Sequence, residues 1–120
     1  MRGDLKYIES NAHLKWEDFL QAPRDDPWDG SAWFTVEVGP DDGINAGEMF
    51  QVLVVTPAAI SRVKPSRGEF RCVVAKSLDP ETVLRTLREH ISAISAGSWS
   101  EIREGLRKSM WWEWEDCRKA

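Results

Sequence analysis

The sequence has few of the residues that build metal sites and disulfide frameworks. Its 120 residues include two Cys and two His. Cys72 lies in the strand-like run FRCVVA and Cys117 lies near the end of the chain. Secreted folds held by disulfides carry more Cys than this, and neither Cys nor His stands at the short spacing of a zinc site. We therefore expect no structural disulfide, no metal and no cofactor.

Long apolar runs are also missing. No stretch reaches the roughly 18 apolar residues that a membrane-spanning helix needs. The start of the chain, MRGDLKYIES, lacks the apolar core and small residues of a secretory signal. We expect a cytoplasmic protein with no membrane partner.

Catalytic motifs are absent as well, since the sequence has no Gly-rich phosphate loop, no GxSxG and no HExxH. The run DDPWDG begins like a calcium loop, but Pro27 would occupy a ligand position, and Val36 would replace the required Glu. Glu113 and Glu115 would share one face of a strand, so a small enzyme using one of them with His90 is an alternative. The missing motifs favour a protein that is not an enzyme.

The negative charge is concentrated in one part of the chain. The net charge is −4, yet residues 25–48 contain no Lys or Arg. Their seven acids are Asp25, Asp26, Asp29, Glu37, Asp41, Asp42 and Glu48. Such a block repels the phosphate backbone and attracts basic surfaces. We therefore expect a protein partner with a basic surface and no nucleic acid.

Tryptophan is abundant, with seven in the chain. Trp111, Trp112 and Trp114 cannot all face the same side of one strand, and Trp28 lies among aspartates. An exposed aromatic ring surrounded by acids is typical of a binding hot spot. For Trp28, packing of the ring against the sheet is an equal alternative. The predicted partner-binding residues are Asp25, Asp26, Trp28, Asp29, Asp41, Asp42, Trp112, Glu113, Trp114 and Glu115.

The length and the 42% hydrophobic content predict a single domain over residues 1–120. Alternation of apolar and polar residues predicts strands at 4–10, 32–39, 69–76 and 111–117. The continuous apolar run at 49–56 predicts a central strand covered on both faces, and the turn formers of PDDGINAGE predict a hairpin leading into it. Residues 11–31 are predicted to be mainly loop, with a helical turn near Trp16.

Helix signals cluster in the second half of the chain. Asp79 and Pro80 predict a helix start, with Gly97 as its C-cap. Ser98 and Glu101 form a capping box that starts a second helix. Thr56 is predicted to cap a short helix of one to two turns. The fold class is therefore α+β: a mainly antiparallel sheet of about five strands, with two longer helices packed on one face and one short helix.

The segment VVTP (Val54 to Pro57) and the tail with Trp112, Glu113 and Trp114 resemble the immunity protein 8 family of bacterial polymorphic toxin systems. The resemblance extends over nearly all of the chain from Leu5. It implies a small cytosolic α+β protein, encoded beside a toxin gene, that binds and silences the cognate toxin. It brings no catalytic residues, so it offers only candidate interface positions.

Two other classes of function stay open at this point. An adaptor subunit of a larger assembly would use the exposed aromatics to bind a sister chain, and the small enzyme is the third class. A monomer or weak dimer in solution would favour the immunity role over the adaptor. Many toxins of such systems are nucleases with basic clefts, and the acidic block would complement such a cleft.

Overall fold

A five-stranded sheet organises the chain in the computed structural model, which describes residues 1–12, 15–22, 26–44, 46–65 and 68–115. Its strands are β1 (Gly3–Ser10), β2 (Ser31–Pro40), β3 (Glu48–Val55), β4 (Val73–Val74) and β5 (Trp111–Trp112). β1, β2 and β3 follow one another as antiparallel neighbours. The far edge of β3 is shared, because β5 pairs antiparallel with Phe50 and Gln51 while β4 pairs parallel with Val54 and Val55. The predicted fold class is confirmed.

Three helices pack on one face of this sheet: α1 (Trp16–Gln21), α2 (Pro80–Ser92) and α3 (Trp99–Leu106). The alternation of β2 sends Phe34, Val36 and Val38 to that face, where all three are fully buried. The helices bury a stripe against them that consists of Phe19, Val83, Leu87, Ile91, Ile102 and Leu106. The placement of the two longer helices on one face is therefore confirmed.

The hairpin between β2 and β3 forms as the turn residues predict. Ser31 pairs with Val55 at one end of the ladder and Val38 pairs with Glu48 at the other. Gly43 has a φ of 81°, a left-handed conformation that glycine adopts without strain. A Cβ at Gly39 would clash with the carbonyl oxygen of Ala46, so the tight return of the chain also requires glycine there.

Three predictions around the far edge of the sheet are wrong in detail. The chain after β3 forms only a short 3-10 turn, Ile60–Arg62, and Thr56 does not cap it. Instead the Thr56 hydroxyl accepts a hydrogen bond from the Gly30 N–H at 3.0 Å and donates one to the Gly30 carbonyl at 3.2 Å. These bonds tie the end of β3 to the start of β2. β3 itself is covered on both faces only over its last residues, since Gln51 is exposed.

β4 and β5 are shorter than the alternating patterns predict, with two residues each. After β5 the ladder gains one more bond, from the Glu113 N–H to the Met49 carbonyl, and the chain then turns. α2 ends at Ser92, so the assignment of Gly97 as its C-cap is wrong; Ala93 is the cap. The helix start at Ser98 is confirmed, because Ser98 Oγ accepts from the Glu101 N–H; the Glu101 carboxylate accepts from the Ser98 hydroxyl, whereas a capping box would have it accept from the backbone N–H.

The helical turn predicted near Trp16 is the six-residue helix α1. Its Phe19 packs edge-on to Phe34, with the ring centroids 5.2 Å apart. None of the described helices has the length and apolar character needed to cross a membrane.

Candidate partner-binding surface

The fold divides the acidic block of residues 25–48 among separate places. Asp26 and Asp29 lie before β2, and Asp41 and Asp42 lie after it. β2 has ten residues, which places these two groups roughly 30 Å apart. Glu37 lies between them, on the face of β2 that is turned away from the helices. The block therefore does not form one continuous acidic surface.

The loop before β2 presents an exposed tryptophan beside acids. Trp28 is 54% exposed, and its backbone N–H donates to Asp26 Oδ1 at 3.0 Å. Asp29 forms an ion pair with Arg62. The Lys76 ammonium lies 5.9 Å from the centroid of the Trp28 ring. Two basic groups thus partly neutralise this loop. Asp25 lies outside the described residues.

At the other end of β2, the Arg2 N–H donates to Asp41 Oδ1 at 2.9 Å, and this hydrogen bond lowers the pKa of Asp41. Asp42 accepts from the Ile44 N–H at 3.0 Å. Both aspartates are exposed. Their side chains therefore shape the loop and still present charge to solvent.

Glu48 is held inside the structure. Its Oε1 accepts hydrogen bonds from Trp99 Nε1 at 2.7 Å and from Arg103 at 3.2 Å, and its Oε2 accepts one from Trp112 Nε1. The Arg103 guanidinium lies 4.6 Å from the centroid of a Trp112 ring. Trp112, predicted as a partner-binding residue, is thus committed to internal contacts through its indole N–H and one ring face.

Glu115 is the second internal carboxylate. Arg107 binds it with two hydrogen bonds, of 2.8 and 2.7 Å, and Arg71 adds a third of 2.8 Å. The pKa of Glu115 falls to about 2, first because of Arg107 and then because of Arg71. Its side chain is only 10% exposed. Glu115 therefore fastens the chain after β5, although the sequence pattern groups it with Glu113.

Trp114 and Glu113 do reach solvent. Trp114 is 51% exposed, and Glu113 is exposed with its Oε1 accepting a bond of 3.3 Å from the Met49 N–H. Of the predicted residues in the tail, these two present surface to a partner. The structure does not bring them close to the loop of Trp28, because β5 pairs with the opposite end of β3.

The face of the sheet turned away from the helices is the one that the predicted packing of helices on a single face leaves free to meet solvent or a partner. We call it the open face, and define it by the side chains Tyr7, Glu9, Trp33, Thr35, Glu37, Met49, Gln51, Trp111 and Glu113. Two rows of side chains cross the face from β1 to β5. The first row contains Tyr7, Glu37, Met49 and Glu113. The second row contains Glu9, Thr35, Gln51 and Trp111. Beyond these rows Leu53 and Val55 are buried, and Arg71 lies 3.9 Å from the centroid of Trp111.

The charged residues that define the open face all have one sign. Glu9, Glu37 and Glu113 are carboxylates, and Arg71, at the edge of the face beside Trp111, is paired with Glu69 and Glu115. Lys6 occupies the bulge of β1, but its ammonium lies 3.1 Å from Asp4 and its side chain is only 6% exposed. The Tyr7 hydroxyl donates to Glu9 at 3.0 Å, and this hydrogen bond raises the pKa of Tyr7. The face therefore presents an uncharged tyrosine among carboxylates at neutral pH.

A groove of about 280 Å³ is set into this face between β2 and β5. Met49 and Gln51 of β3 run along it, Thr35 lies on the side of β2, and Trp111 and Glu113 lie on the side of β5. The Thr35 hydroxyl donates to Asn11 at 2.7 Å, which fixes that side. Apolar, amide and carboxylate groups therefore meet in one concave site.

The alternative of an enzyme using His90 finds little support in these positions. His90 Nε2 lies 2.7 Å from Ser109 Oγ, and burial lowers the pKa of the imidazole. Glu115 is paired with two arginines, and its low pKa makes it a poor proton donor at neutral pH. Among the described residues, no cluster of His, Cys, Asp or Glu could hold a metal ion.

A comparison with protein families decides between these readings. The family model described as Immunity protein 8 matches residues 4–117. The chain belongs to the immunity protein 8 family. Searches of curated proteins and of solved structures return no match. Membership indicates an immunity protein, with a toxin as its partner and a role that is not enzymatic.

For an immunity protein, the residues that sequence analysis missed matter as much as those it found. Tyr7, Glu9 and Gln51 lie on the open face, yet none was singled out. The alternation in β1 and β2 was a usable signal, because it places Glu9 and Glu37 opposite the apolar residues. The predicted fold already left this side free of helices; what the alternation could not reveal is that β1 and β2 are adjacent.

Proposed function

We propose that this immunity protein neutralises its cognate toxin by covering a basic region of the toxin with the open face of its sheet. One observation carries the proposal: the face combines aromatic, amide and carboxylate groups with no Lys or Arg among its defining residues. Aromatic groups supply apolar contact area, and carboxylates steer a basic partner and suppress acidic ones. A nuclease with a basic cleft fits this requirement.

The size of the face supports a role as the centre of an interface. Three strands about 4.8 Å apart, over about seven residues of 3.3 Å each, together with the short β5 make a platform of roughly 400 Å². A stable interface buries about 800 Å² on each partner. Neighbouring groups must therefore contribute. We propose that Trp114 and the acidic loops of Asp26, Asp29, Asp41 and Asp42 form this surrounding region, while Trp112 and Glu115 support it from within.

The test uses the toxin domain that the family resemblance predicts to be encoded beside this gene. Cells that express this domain should survive when the immunity protein is co-expressed, and the two purified proteins should elute as one complex. The double charge reversal Glu37→Lys with Glu113→Lys should abolish protection, because it places two cations where a basic partner docks.

The matched control is Glu81→Lys with Glu89→Lys, two exposed positions on α2, on the other side of the sheet. Both pairs change the net charge by the same amount. Equal protection by the two double variants, with both folded by circular dichroism, would contradict the open face as the toxin-binding surface. Absence of a complex with the wild-type protein would contradict the proposed function itself.

A further inference from the structure

We infer that the groove on the open face receives a single arginine side chain of the toxin. This inference rests on the proposed function and adds the chemical identity of the group that docks. The groove has a volume of about 280 Å³. A volume of this size is enough for one long side chain.

The polar groups of the groove are arranged to accept hydrogen bonds. Glu113 is anchored through Oε1, which accepts from the Met49 N–H at 3.3 Å. Its Oε2 accepts no hydrogen bond from the described residues, and neither does the exposed amide of Gln51. Glu37 does not line the groove, but it pairs with Met49 from the neighbouring strand and places a second carboxylate beside it. A cation over Met49 would therefore have acidic groups on two sides.

Hydrogen-bond geometry favours arginine over lysine. A guanidinium forms two parallel hydrogen bonds to a carboxylate, and Arg107 binds Glu115 in this way in the same chain. Trp111 lines the groove, but it is only 7% exposed and Arg71 already lies over its ring, so it acts as a wall of the groove and the carboxylates supply the selectivity. A lysine ammonium is more strongly hydrated and offers no planar fork.

The first experiment needs no toxin. The ¹⁵N-labelled protein is titrated with N-acetyl-arginine methylamide, and N-acetyl-norleucine methylamide serves as the uncharged control. We expect saturable shifts at the Gln51 side-chain amide and the Trp111 indole, with a Kd in the millimolar range, and no such shifts with norleucine. Shifts that are equal at Asp42 and Gln51, or that do not saturate, would overturn the inference.

The second experiment measures toxin affinity. Glu113→Gln removes the charge but keeps the oxygen that accepts from Met49, and we expect it to raise the Kd at least about tenfold. Asp42→Asn is the matched control, because it removes one charge from an exposed carboxylate that also accepts a backbone N–H.

The two failures are distinguishable. If the wild-type protein binds the toxin and Glu113→Gln binds it equally well, the groove does not hold an arginine of the toxin and the proposed function stands. If the wild-type protein does not bind the toxin, the proposed function fails, and the toxin is excluded as the source of the arginine.

Discussion

The two faces of the sheet come from alternate residues of the same strands and have different chemistry. Phe34 and Val36 point to the helices and are completely buried. Their neighbours Thr35 and Glu37 point to the open face. The helix-covered face is apolar and closely packed, so it determines stability. The open face holds carboxylates, an exposed amide and the half-exposed ring of Tyr7. This separation predicts that stability and toxin binding respond to different substitutions.

The largest effect on stability is expected on the helix-covered face. Phe34→Ala removes a fully buried ring that contacts Phe19, and should lower the free energy of unfolding by about 3–5 kcal/mol. Tyr7→Ala, at a ring that is 49% exposed on the open face, should lower it by less than about 1 kcal/mol. Urea denaturation measures both. Similar decreases in the free energy of unfolding for the two variants would contradict the proposed difference between the faces.

The next largest effect is the loss of folding stability in acid, which we attribute to the ion pairs of Glu115. Its pKa falls from 4.5 to about 2, so its ion pairs stabilise the fold above pH 5 and are lost as the pH falls from 5 towards 2. The wild-type protein should lose up to about 3 kcal/mol more than Glu115→Gln over that interval. Thermal unfolding at several pH values provides the measurement, and an equal pH dependence in both proteins would show that this ion-pair cluster does not contribute.

A smaller effect is expected at the acidic loop before β2. Charge reversal at Asp25, Asp26 and Asp29 should slow association with the toxin more than it speeds dissociation, and the change should shrink as salt is added. Stopped-flow kinetics at two salt concentrations tests this. Unchanged association at low salt would reject the loop as a steering surface.

The smallest effect is expected at His90. Its ring contacts Ser109 away from the open face, so His90→Gln should leave protection against the toxin unchanged. A loss of protection in a variant with wild-type thermal stability would support a chemical role for this residue.

The mass of the protein in solution is expected to be that of a monomer or weak dimer, and a stable homo-oligomer would instead favour an adaptor.

Local sequence patterns predicted most of the fold because the signals act over a few residues. Alternation identified β1 and β2, and the capping box of Ser98 identified the start of α3. The roles of Glu48, Glu113 and Glu115 could not be predicted in the same way. Glu113 and Glu115 share a strand pattern, but the chain turns after β5, and Arg71 from a distant segment and Arg107 from the end of α3 bind Glu115 and not Glu113. Such contacts depend on tertiary placement, which alternation does not encode.

The pairing of β5 with the middle of the sheet has a consequence for synthesis. Trp111 and Glu113 form one side of the groove, while the other side comes from β2, more than 70 residues earlier in the chain. A nascent chain that has not yet released residues 111–113 from the ribosome has only part of the groove. Newly made protein would therefore gain its protective capacity in a single late event, and prematurely terminated fragments would contribute none.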